Sequence, residues 1–179
     1  MAGLTALGQV LHEEHFRILI WMCDLQNRVT GEAGRRLPDL DTIQEREELY
    51  DLITSVDQVM AHHAFEEDVV FPLLRAESNL DLASLLTDDH VVIEPTAYLL
   101  RTLANEMLQH GPGHGRWIEF RKVAQELFSE MIGHLEKEEV IVLQRLEFLL
   151  DAETDHRLAL QHVSGRLLSV VTSNTTSLR

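Results

Sequence analysis

The chain is 179 residues long, 45% hydrophobic and 25% charged, with 15 basic against 30 acidic side chains and a formal net charge of −15. That length fits one domain with its own core, and no apolar run approaches the about 20 residues of a membrane-spanning helix. The surplus of carboxylates speaks against nucleic acid and anionic membranes, whose binding rests on Lys and Arg, and leaves cations and small neutral molecules as partners.

Four long stretches show helical periodicity, separated by short segments rich in breakers. The first runs from about Leu4 to Val29, with Leu11, Ile18, Met22, Leu25 and Val29 along one stripe. It starts without the basic and apolar segments of a secretory signal, so a cytoplasmic protein is expected. The lone Cys23 excludes an internal disulfide and a thiolate zinc site, and reads as a small core or interface residue. Gly31 to Gly34 ends the helix, and Pro38 with Asp39 or Asp41 restarts the chain. The second helix covers about Thr42 to Arg75, with Leu49, Leu52, Val56, Val59 and Met60 on one side, and a turn is expected over residues 77–81.

The third helix covers about Leu82 to His110, with Pro95 inside it, where a missing N–H should bend it near Val91. Gly111 to Gly115 breaks the chain, and the fourth helix runs from Arg116 to about Leu150. A shorter helical segment is expected over Glu153 to Val171, ahead of a polar tail. No stretch alternates as a strand does. Short connections make neighbouring helices antiparallel, so the fold expected is an all-α, up-down-up-down four-helix bundle over residues 1–150 with a C-terminal helical extension over 151–179.

The ten histidines are not scattered at random. Glu13-Glu14-His15-Phe16-Arg17-Ile18 matches Asp88-Asp89-His90-Val91-Val92-Ile93 as acid-acid-His-x-x-Ile. The segment from His62 to Phe71 matches that from His134 to Leu143 as His-x-x-x-Glu-Glu-x-(Val/Ile)-Val-(Phe/Leu). His15 and His62 lie 47 residues apart, His90 and His134 lie 44 apart, so the chain is two helical hairpins of one design.

Residues at i and i+4 share a helix face, so the histidine and glutamate of each motif can converge on one ion. Facing helices then offer two imidazoles and two carboxylates, the lone histidines add two more imidazoles, and such donors suit iron or zinc. His15 falls on the apolar stripe, where a buried imidazole without a partner costs roughly 1–3 kcal/mol. In the second helix the stripe through Val56, Met60 and Val70 centres nearer His63, with Glu67 as its partner, whereas the repeat favours His62 with Glu66; both pairings stay open. The remaining histidines have no counterpart in the repeat; His110 and His114 are expected to be exposed, and Trp21, Phe65, Trp117, Phe120 and Phe128 to pack in the core or an interface. Nothing in the spacing requires Tyr50 or Tyr98 near the centre.

The order His, His-x-x-x-Glu, His, His-x-x-x-Glu resembles the hemerythrin-like (HHE cation-binding) domain, and His62 to Pro72 is similar to that family's His-x-x-x-Glu-Glu-x-x-Leu-Phe-Pro signature. The resemblance covers about Leu4 to Leu150. It implies an antiparallel four-helix bundle with two iron ions in an oxo- or hydroxo-bridged di-iron centre. His15, His62, His90 and His134 would be its terminal ligands, and Glu66 and Glu138 would bridge the irons.

Two positions depart from the family: Gln144 stands where proline is frequent, and Glu94, one turn after His90, stands where the oxygen carriers of animals have a further histidine. The latter matches the bacterial four-histidine, two-glutamate variety and speaks against simple reversible oxygen transport; Glu94 is a further ligand, a base beside the ligands, or solvated. The resemblance implies binding or reduction of dioxygen, hydrogen peroxide or nitric oxide, with peroxidase-like or nitric-oxide-related turnover as the activity to test. The alternatives are an iron-handling or oxygen/redox-sensing module, including the di-iron iron–sulfur repair type, and a bundle holding zinc or no metal. No membrane or nucleic-acid partner is expected, and a homo-oligomer is allowed.

Overall fold

The computed structural model describes residues 3–76 and 80–176. They are helical apart from short connections, with no strand among the described residues and no helix long and apolar enough to cross a membrane. In chain order the helices are α1 (Ala6–Val29), α2 (Ile43–Phe65), α3 (Phe71–Ala76), α4 (Leu80–His110), α5 (His114–Lys137), α6 (Leu143–Leu149) and α7 (Ala152–Thr176). Helices α2 and α3 are joined by a π-helical turn over Glu66–Val70, and α5 and α6 by another over Glu138–Val142. The second and fourth sequence segments are therefore each an uninterrupted helical run. Within the expected turn over residues 77–81, residues 77–79 lie outside the described residues, as do 177–179 of the tail.

The chain forms two compact units, Phe16–Glu136 and the combination of Met1–His15 with Lys137–Arg179. In the first, α1, α2, α4 and α5 run antiparallel to their neighbours. Arg28 near the end of α1 donates to Glu45 at the start of α2 (2.6 Å), and Arg116 at the start of α5 donates to Glu106 near the end of α4 (3.1 Å). Along α2 and α4 the partners run in opposite order, Asp57 with Arg101 (3.0 Å) and Glu67 with His90 (3.0 Å). The core is the stripe the sequence marked: Ile18, Met22, Leu25 and Val29 of α1 meet Leu49, Leu52, Val56 and Val59 of α2, with α4 and α5 supplying Ile93, Leu100, Met107, Phe120, Leu127 and Met131. Each such side chain contributes about 1.5–3 kcal/mol by leaving water.

Local chemistry sets the helix ends. Thr42, rather than Asp39 or Asp41, caps α2, its side chain accepting from the Glu45 N–H. The end of α1 and the turn after it are held by α5: Arg121 donates to the Val29 carbonyl (2.8 Å) and the Trp117 indole to that of Gly34 (3.0 Å). A side chain at Gly34 would strike the Val29 carbonyl oxygen at 2.1 Å, so only glycine fits that approach. Pro95 sits within an unbroken α4. Cys23 is exposed, not core; it comes one residue after the buried Met22, and about 100° of helix turn carries it off the apolar stripe.

In the second unit Leu7, Leu11, Val142, Leu143, Leu146 and Ala159 are buried. Asp155 of α7 accepts the N–H groups of Ala6 (2.7 Å) and Leu7 (2.9 Å), satisfying donors that the first turn of any helix leaves open. His162, also on α7, meets both carboxylate oxygens of Glu14 at 2.9 Å. The C-terminal helix thus ties down the start of α1, and it runs beyond the expected Val171 to Thr176.

Candidate metal centre

Both π-helical turns begin at the glutamate of a His-x-x-x-Glu motif. The Phe71 N–H bonds the carbonyl of Glu66, and the Leu143 N–H that of Glu138, five residues back instead of four. Such a turn takes in one extra residue and rotates the remainder of the helix about its axis, and turns of this kind recur at functional sites. In the second helix Glu66 lies inward and Glu67 outside. His62 (4% exposed), His63 (0%) and Glu66 (1%) are all buried, whereas the Glu67 side chain is 44% exposed. The pairing of His63 with Glu67 is thereby split, and both histidines face the interior.

Within the unit Phe16–Glu136, these residues meet His90 and His134, each 1% exposed. The Nε2 atoms of His90 and His134 are 3.2 Å apart, His90 Nε2 lies 3.6 Å from Glu66 Oε2, and His62 Nε2 lies 3.2 Å from Glu66 Oε1. Metal–nitrogen bonds of about 2.0–2.1 Å place neighbouring donors about 3.0–3.4 Å apart, so the spacing is that of ligands around an ion. Donor atoms of His63, Glu66, His90 and His134 all fall within 4.8 Å of one another.

The orientation of the rings is set from behind. His90 Nδ1 faces Glu67 at 3.0 Å, and His134 Nδ1 faces Asp89 at 3.3 Å. A proton on each Nδ1 donated to its carboxylate leaves both Nε2 lone pairs aimed at each other, an arrangement that calls for a cation between them. Burial pushes His134 down to about 4. Burial acts on His90 in the same sense but is outweighed by the carboxylates of Glu66 and Glu67, which raise it. A metal ion between the two Nε2 atoms satisfies both lone pairs and the Glu66 charge, so the residues present fit the ion.

The other unit repeats the theme. His15 (3% exposed) and Glu138 (0%) are buried, with His15 Nε2 3.4 Å from Glu138 Oε2. His15 Nδ1 donates to Glu139 at 2.7 Å, and His12 Nδ1 contacts the other oxygen of that carboxylate at 2.8 Å. Burial would raise Glu139, but its bonds to His15 and His12 hold it below the usual carboxylate range.

The sequence offered Glu67 only as the i+4 partner of His63 and gave no orienting role to Glu67, Asp89 or Glu139, whose carboxylates the fold places at the Nδ1 atoms of His90, His134 and His15. The second glutamate of each motif reaches the lone histidine of the other hairpin: Glu67 serves His90, and Glu139 serves His15. The signal was present as the repeated Glu-Glu doublet, of which only the first member fits the i+4 rule. His110 and His114 are exposed, as expected, and Trp117 and Phe120 are buried and stacked at 5.3 Å. Tyr50 and Tyr98 are about half exposed and stand among the surface residues.

An all-helical chain whose buried positions carry imidazole and carboxylate donors at ligand spacing belongs to the class of metal-binding helical bundles. More particularly, the chain belongs to the Hemerythrin HHE cation binding domain family, which matches residues 9–146. No curated protein and no solved structure matches the chain. Its two buried groups of histidine and glutamate have the composition of the binuclear site of such domains.

Proposed function

We propose that the chain is a non-haem di-iron protein that binds or reduces small oxidants, with dioxygen, hydrogen peroxide and nitric oxide as the candidate ligands. In this reading His15, His62, His90 and His134 would be imidazole ligands, and Glu66 and Glu138 carboxylate ligands, of the two ions. The observation that carries it is the approach of the His90 and His134 Nε2 atoms to 3.2 Å beside the Glu66 carboxylate, with their Nδ1 atoms engaged by Glu67 and Asp89.

Imidazole with carboxylate is a donor set for iron, and bound iron would supply redox electrons and open positions for a small oxidant. The chain's own part is to bind, orient and shield. Glu67, Asp89 and Glu139 fix which nitrogen of each histidine faces inward. The Phe71 ring packs 5.2 Å from that of His90, and the donor residues are at most 4% exposed, which keeps bulk water from them.

Anaerobic loading with Fe(II), and then exposure to oxygen, peroxide, nitric oxide or azide, tests the reading. Visible bands that change with each addition are expected. Iron-loaded protein without any spectral response would overturn it.

A further inference from the structure

We infer that His63 is itself a metal ligand, the third imidazole on an ion held by Glu66, His90 and His134. The inference rests on the metal-binding reading above and adds to the six-ligand set a residue that the sequence offered only as a substitute for His62, paired with Glu67. Three observations carry it.

First, His63 is 0% exposed, and neither ring nitrogen makes a hydrogen bond to any described residue. Buried polar groups are nearly always satisfied, and an imidazole left without a partner in a helical core calls for an explanation. Second, the ring lies where the ion belongs. It stacks on His90 with centroids 3.8 Å apart and planes 7° from parallel, and meets His134 edge-on at 5.4 Å. Its donor atom falls within 4.8 Å of those of Glu66, His90 and His134.

Third, His63 carries the same mark as three of the other inward histidines. His15, His90 and His134 each have a carboxylate on the Nδ1 side, and Glu94 stands 3.6 Å from His63 Nδ1. A modest inward movement of Glu94, whose side chain is 37% exposed, would close that gap to a hydrogen bond and leave Nε2 free to ligate. Glu94 then acts as a positioning residue for His63, which gives the unusual glutamate one turn after His90 a role.

The duplicated motif offers an internal control. The residue after the histidine of the second motif is Leu135, which joins the apolar core. The same position in the first motif is equally enclosed yet holds an imidazole. An apolar side chain suffices for packing there, so packing does not account for His63.

The test is Co(II) binding, read by visible absorption and by the rise in thermal midpoint, in wild-type protein and in His63→Leu. Removing an unsatisfied buried imidazole should leave the metal-free midpoint unchanged or higher. Co(II) affinity should fall more than about 100-fold, beyond the loss typical of residues that only orient ligands, and the cobalt bands should change shape. In His63→Gly, added imidazole should restore the wild-type bands. A leucine variant that binds Co(II) with wild-type affinity and spectrum overturns the assignment to His63 alone. Wild-type protein that takes up no Co(II) sinks the metal-binding reading and this inference with it. Should the leucine variant not fold, 15N shifts of the histidine rings in wild-type protein decide the point: Zn(II) must move one ring nitrogen of His63 into the metal-bound range, and an unmoved ring overturns the proposal.

Discussion

The two halves of the duplicated chain are alike where they bury imidazole and carboxylate donors and differ in the residue next to the motif histidine. His62-His63-Ala-Phe-Glu66-Glu67 and His134-Leu135-Glu-Lys-Glu138-Glu139 both open a wide turn at their first glutamate, and both send the second glutamate to a lone histidine's Nδ1. Only the first motif buries a second imidazole. A shared backbone device thus sets the frame, while a single side chain, His63 against Leu135, makes the two motifs unequal as sources of donors. Hydrophobic patterning treats those two positions as equivalent because both are enclosed, and only hydrogen-bond satisfaction tells them apart.

The largest effects should come from residues common to both halves. His134→Ala or Glu138→Ala should lower metal loading and remove most of the metal-dependent rise in thermal midpoint, because binding to the folded form alone adds about 4 kcal/mol at a thousandfold excess over Kd. His110→Ala, at an exposed position, should do neither. Equal and negligible effects in all three, by metal analysis and calorimetry, would show that the repeat has no part in ligation.

Next in size is the exchange at the unequal position. Leu135→His places an imidazole in the apolar core, 6% exposed in the native chain, and should destabilise metal-free and metal-loaded protein alike by roughly 1–3 kcal/mol, without gain in affinity. Urea denaturation with and without Zn(II) checks this. Tighter binding in that variant would mean that the second motif can be made to work as the first does.

The orienting carboxylates should give smaller and matched losses. Glu67→Ala and Glu139→Ala should each reduce metal affinity about 10–100-fold while changing the metal-free midpoint little. A loss confined to one of them would break the symmetry between the halves.

Acid should act on the metal-free protein alone, without any change of ligand. His134 is pushed to about 4 and His63 well below its ordinary value, in both cases chiefly by burial. Both stay neutral in the folded chain while the unfolded chain takes up protons near about 6.5, so their contribution is present above that pH and is lost as pH falls. For His134 the loss approaches about 3 kcal/mol near pH 4. His90, raised by Glu66 and Glu67 against its burial, works in the opposite sense: its contribution is present below about 6.5 and fades as pH rises through its folded value. Two depressed histidines outweigh one raised, so chemical denaturation should show the apo protein weaker at pH 4.5 than at pH 7. A flat profile would contradict the placement of these rings in the core.

Much of this was legible before any coordinates. The helices of the bundle announce themselves because the stripe from Leu11 to Val29 and that from Leu49 to Val59 keep the helical period, and the site shows through because acid-acid-His and His-x-x-x-Glu-Glu each occur twice. The wide turns at Glu66 and Glu138 were not legible, since a π-helical turn leaves no periodic trace within five residues. That is also why the stripe appeared to choose between His62 and His63 when the helix buries both. The pairings of Asp155 with the start of α1 and of His162 with Glu14 join residues more than a hundred positions apart, which no local pattern encodes.

The most direct test of the account is the metal content of the protein purified without chelators, read by elemental analysis beside the visible spectrum. The account predicts about two irons per chain, as in other di-iron bundles, with absorption that responds to azide or peroxide. Protein that carries no transition metal, and whose thermal midpoint is unmoved by added Fe(II), would contradict it.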